Sequence, residues 1–256
     1  MPRILIIGLV AGLFGGLMWG GFHNLFTVPV IERAIVFEEE RSSALNPNAH
    51  EEEPLVPLGA QRVGMVIGTG FFGAVWGIVF AAGYTVIRRL APDWKPLAIV
   101  VAVAALGYWA VSLFPFIRYP LNPPGVGEEG TVVLRQGLQL MFMVLSVIGV
   151  GVLLYGLREI NQRFQHTGNR LRMYGVAVVA YAAFAVVMFM THPANPDPVP
   201  VPIDLLELFR TLTMVGQFLA WAFMALGATA VMYWYKRRDE KAGNRFDPVT
   251  GAPINL

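Results

Sequence analysis

Three histidines, His23, His50 and His192, are the side chains in this 256-residue chain best suited to chemistry. His50 sits beside Glu51, Glu52 and Glu53, and the stretch after His23 carries Glu32 and Glu38 to Glu40. Neutral imidazole and carboxylate oxygen are ordinary ligands for divalent first-row metals. Imidazole ligates only when uncharged, so metal binding through such residues is expected to weaken as pH falls through about 6.5, where an ordinary imidazole protonates. The fourth histidine, His166, stands apart among Arg163, Arg170 and Arg172. Met18, Met65, Met141, Met143, Met188, Met190 and Met214 lie toward the same side as the three histidines. Their thioethers suit soft ions, though methionine equally fills gaps in a packed core. Zero cysteines exclude thiol chemistry and disulfides. Catalytic signatures are missing too. Residues 50–53 lack the second histidine of a zinc-protease helix, and the glycine strings at 68–73 and 125–130 lack a strand–turn–helix context. The chain reads as no enzyme and as having no tightly bound cofactor.

The elements that must position these residues are membrane spans. Hydrophobic residues make up 55% of the chain and charged ones 14%, with 27 glycines and a mean hydropathy of +0.56. Ordinary soluble domains carry about 25% charge, so this is an integral membrane protein. A pI near 9.0 does not point to nucleic acid, because the net charge is only +2 and no long basic run exists. Six stretches can cross about 30 Å of hydrocarbon as helices: residues 4–26, 63–86, 97–116, 138–157, 174–190 and 212–235, none containing Asp, Glu, Lys or Arg. The expected architecture is therefore all-α, a single transmembrane domain over residues 1–240 with a cytoplasmic tail at 241–256. Thirteen Lys and Arg fall on the side of the termini, against six (Arg33, Arg41, Arg62, Arg118, Arg135 and Arg210) on the other. The positive-inside rule then puts both termini in the cytoplasm. Twelve of the 17 carboxylates lie outside, which leaves the outer side with formal charge −6 and the inner side with +8.

Glycine spacing predicts how the first two spans meet. Gly8, Gly12, Gly16 and Gly20 recur every fourth residue, and Gly64/Gly68 and Gly73/Gly77 repeat that spacing in the second span. Small residues at this interval let two backbones approach where lipid supplies no hydrophobic drive. Thr69, Ser112, Ser146, Gln139, Gln217 and Thr229 are expected as hydrogen-bond partners between helices. Each outer loop holds an Asn-Pro followed by an arginine at the next span: Asn46-Pro47 with Arg62, Asn122-Pro123 with Arg135, Asn195-Pro196 with Arg210. A helical hairpin repeated in parallel would produce this; so would the ordinary turn preferences of Pro and Asn.

Three segments resemble the CbtA family, the larger subunit of a predicted cobalt transporter. They are residues 12–34, where the glycine-lined span runs into a Val-Pro helix; 114–127, with Arg118, Tyr119, Pro120, Asn122, Pro123 and Pro124; and 202–221, entering the last span. The resemblance implies a bacterial or archaeal inner-membrane protein that moves Co²⁺ inward with a small one-span partner bearing a histidine-rich terminus. Relatives carry more histidines in the first outer loop, where this chain has His50 alone, and that shifts metal capture toward the partner. The expected site is His23, His50 and His192, with the Pro-rich loops around Arg118 and Asn195 over the path. The competing expectation is a non-transporting accessory subunit docked in a larger membrane complex.

Overall fold

Apolar runs of this length bury their backbone polar groups in their own helical ladder, the arrangement hydrocarbon demands. In a computed structural model, which describes residues 2–45, 56–123, 129–195, 199 and 201–242, every expected span is a helix and no described residue is in a strand. The helices are α1 (Pro2–Phe22), α2 (Val28–Leu45), α3 (Leu58–Leu90), α4 (Pro96–Gly107), α5 (Phe114–Arg118), α6 (Val132–Arg163), α7 (Thr167–Thr191) and α8 (Ile203–Lys241). Among the described residues, six uninterrupted helical stretches are long and apolar enough to cross a bilayer, with α1–α2 and α4–α5 each counting once. The protein is thus a multi-pass membrane protein. The fifth span, short in the sequence, is a full 25 residues.

Two helices carry a wide turn, and proline explains both. Residues His23–Thr27 form a π-turn between α1 and α2, and Tyr108–Leu113 form one between α4 and α5. The Val28 N–H bonds the His23 carbonyl and the Phe114 N–H bonds that of Trp109, each five residues back. The next residues are Pro29 and Pro115. Proline has no N–H to give, and its ring collides with the carbonyl four residues back. Widening the preceding turn is one way a helix continues past it.

The described residues pack as two units. The first gathers α1, α2, α3 as far as Ala81, residues 121–123 and α8. Here α1 lies against two helices at backbone distance. Toward α3, a Cβ on Gly8 would fall on the Gly77 carbonyl, one on Gly12 on the Gly73 carbonyl, and one on Gly16 on the Thr69 carbonyl. Toward α8, a Cβ on Gly15 would lie 2.6 Å from Met224 Cγ, and one on Gly227 3.1 Å from Ala11 Cα. Val30 and Ala34 of α2 pack on Leu205 and Phe209 of α8. At the far end Arg3 clamps Asp239 through two hydrogen bonds of 2.6 and 3.3 Å and lies over the Tyr235 ring.

The glycine expectation needs one correction. Gly64 and Gly68 are exposed and a Cβ on either meets nothing. α1 meets α3 through Gly73 and Gly77, and farther along through Thr69 and Val66, where Gly20 would clash. The 64/68 pair lies on a different face of α3. A second expectation fails at Thr69 and Thr229, whose hydroxyls donate to carbonyls of their own helix, Met65 and Ala225. A threonine finds that carbonyl one turn back without a neighbouring helix.

The second unit gathers the rest of α3 with α4 to α7. Phe114, Tyr119, Phe142 and Met188 form its core cluster, joined by Trp109, Leu138, Leu145 and Ala185. Gly149 of α6 is occupied by the Phe184 ring of α7. The Trp109 indole N–H donates to the Tyr181 hydroxyl at 2.6 Å.

Candidate functional site

His23 opens the π-turn that follows α1. Its Nδ1 lies 2.7 Å from the Thr27 hydroxyl, one helical turn on. The ring stands edge-on between Trp19 and Phe22, both with centroids 5.6 Å away. Its Nε2 points at Gly216 of α8, where a Cβ would lie only 2.5 Å off. Gly216 was not singled out from the sequence, although Gly216 and Ala220 show the same four-residue small spacing as α1. The polar surroundings continue at the next residue. The Asn24 side chain donates to the Arg62 carbonyl at 3.1 Å, and Arg62 donates to Glu32 at 2.5 Å.

His192 follows the last residue of α7. Its backbone N–H bonds the Met188 carbonyl at 3.2 Å and its Nδ1 reaches the same oxygen at 2.8 Å. A carbonyl only accepts, so Nδ1 is the donor, and in the neutral ring Nε2 then carries the lone pair that a metal would use. A backbone carbonyl orienting an imidazole in this way is common behind metal ligands. The ring meets Phe142 edge-on at 5.0 Å.

Arg118 and Tyr119 of the Pro-rich segment fasten this same chain end. Arg118 donates to the His192 carbonyl, and the Tyr119 hydroxyl donates to that of Pro193 at 2.8 Å. Thus the 114–123 segment and the end of α7, 74 residues apart, are joined by two side chains giving to backbone. Pro120 follows directly, half-buried. Asn122 belongs to the other unit, where its Oδ1 accepts from Arg210 at 2.9 Å while Arg210 also reaches the Leu121 carbonyl at 3.3 Å. The arginine after the third Asn-Pro therefore serves the second one. Pro123 is buried and Asn195 half-buried, while His50, Pro124 and Pro196 lie outside the described residues.

The structure places His23 in the first unit and His192 in the second. Among the described residues no three of His, Asp and Glu gather as a metal group. Of the methionines, Met18, Met141 and Met190 are exposed, and Met188 is buried in the second unit's core.

A family model described as probable cobalt transporter subunit (CbtA) matches residues 1–233. No curated protein and no solved structure matches the chain.

Proposed function

The chain belongs to the CbtA family, and from that premise we propose that it is the multi-spanning subunit that carries a divalent metal, cobalt, inward across a prokaryotic cell membrane. The match over residues 1–233 is the observation that carries this reading. The geometry of His192 supports it, since its tautomer leaves Nε2 free to ligate. His23 contributes once its ring leaves the Gly216 notch. One imidazole per unit holds a divalent ion weakly, so the remaining ligands come from a small one-span subunit with a histidine-rich terminus. Arg118 and Tyr119 act by fixing the chain end that carries His192, Asn122 acts by holding Arg210 of α8, and His50 makes first contact in the acidic segment. Both termini face the cytoplasm.

A second reading, an accessory subunit that moves no ion, is favoured by one observation: no metal group exists among the described residues. Cobalt accumulation in cells separates the two. His23→Ala with His192→Ala is expected to lower accumulation severalfold at unchanged membrane level, whereas His166→Ala leaves it alone. Normal accumulation in the double variant would remove both histidines from the path and favour the accessory role.

A further inference from the structure

Phe114, Ala185, Val186, Phe189 and Met190 line an apolar groove of about 210 Å³ between α5 and α7, a feature that ion transport does not use. The guanidinium of Arg118 lies 5.0 Å over the Phe189 ring, so a cation sits on the wall of this groove. Arg118 gives one hydrogen bond, to the His192 carbonyl, and among the described residues no carboxylate pairs with it. Its Nε–H is buried with no acceptor among the described residues. α7 is also the barest of the six spans, with 6% of its apolar window buried, against 22% or more in the others. The groove therefore opens where bilayer lipid stands.

We propose that one phospholipid of the bilayer is a bound ligand here, with an acyl chain along Phe114, Phe189 and Met190 and its phosphate on Arg118. The volume admits part of one acyl chain and is too small for the face of a partner helix. The charge has the complementary sign: an arginine at the end of a span, with no carboxylate partner among the described residues, meets the phosphate layer of the headgroups. A guanidinium recognises phosphate through paired N–H donors, a geometry that a lysine cannot copy. Because Arg118 also holds the His192 carbonyl, lipid occupancy stiffens the chain end that carries His192.

Native mass spectrometry of the purified full chain in detergent tests this, with phosphatidylglycerol and a diacylglycerol of the same acyl chains as probes. One phosphatidylglycerol is expected to bind, and diacylglycerol, which has the chains without the phosphate, about tenfold more weakly or worse, the loss of one charge-assisted contact. Arg118→Gln should bring phosphatidylglycerol down to the diacylglycerol level. Val186→Trp, at a position 56% exposed, should abolish binding of both by filling the groove while leaving Arg118 in place. Equal binding of the two probes, or retention of phosphatidylglycerol by Val186→Trp, overturns the proposal. If Arg118→Gln does not fold, the two-probe comparison and Val186→Trp decide alone.

Discussion

His23 reaches its position because residue 216 has no side chain. A methyl group there would press on Nε2 and Cε1 of a ring already held by Trp19, Phe22 and Thr27. Gly216→Ala is accordingly expected to destabilise the protein by about 1–3 kcal/mol, the usual range for overpacking. Most of that loss should return in the double variant with His23→Ala, because the clash needs both partners. Thermal unfolding of the four proteins in detergent measures the coupling; additive losses would place the ring away from Gly216. The same contact shows what the sequence conveys at this scale. His23, His192 and Arg118 stand out by type alone, since few polar groups occur near the ends of apolar runs. Their partners do not. Nothing in the spacing reveals that Arg118 spans 74 residues to a backbone carbonyl, or that Arg210 serves Asn122. Carbonyls are identical at every position, so a side chain that seeks one leaves no mark on its partner's residue type.

Helices α1 and α3 approach so closely that side chains cannot fit between them, and the choice of glycines is testable. Gly12→Leu and Gly73→Leu each drive a side chain into an opposing backbone. Both are expected to abolish assembly or lower the melting temperature by many degrees. Gly64→Leu and Gly68→Leu point into open space and should match the wild type. Leu13→Ala and Leu17→Ala, at exposed positions, should cost little. Expression and size-exclusion profiles in detergent decide, and equal behaviour of the two glycine pairs would remove the packing argument. Hydropathy made the spans legible because hydrocarbon leaves a helix no other way to satisfy its backbone. Their ends were not legible. The first span continues through Pro29 and the charged residues of α2, because helical hydrogen bonding does not stop where the apolar residues do. Proline announces a lost hydrogen bond at 29 and 115, but residue type alone does not tell a π-turn from a kink. Four-residue spacing identified the glycines, yet Gly64 and Gly68 share that spacing on another face, and only a neighbour's position tells the faces apart.

At the scale of the whole chain, Arg3 and Asp239 bring the start of α1 and the end of α8 to one end of the first unit. Two chain ends on one side require an even number of crossings between them, and six helices supply it. Which side that is depends on a different property, the distribution of Lys and Arg, thirteen on the side of the termini and six on the other. These two determinants are separable. Asp239→Asn removes the clamp but leaves every Lys and Arg in place, so it should lower stability while topology stays the same. The expected loss is about 3 kcal/mol, the lower end for breaking a buried pair, because the Arg3 side chain keeps 21% exposure against 8% for Asp239. Reporter fusions after Arg89, Arg172 and Leu256 should all report cytoplasm, in the wild type and in Asp239→Asn alike. All three reporting the outside would reverse the orientation while keeping the six crossings. A mixture among the three would contradict six crossings, and a topology changed by Asp239→Asn would make the clamp, and not the cation count, the determinant of orientation.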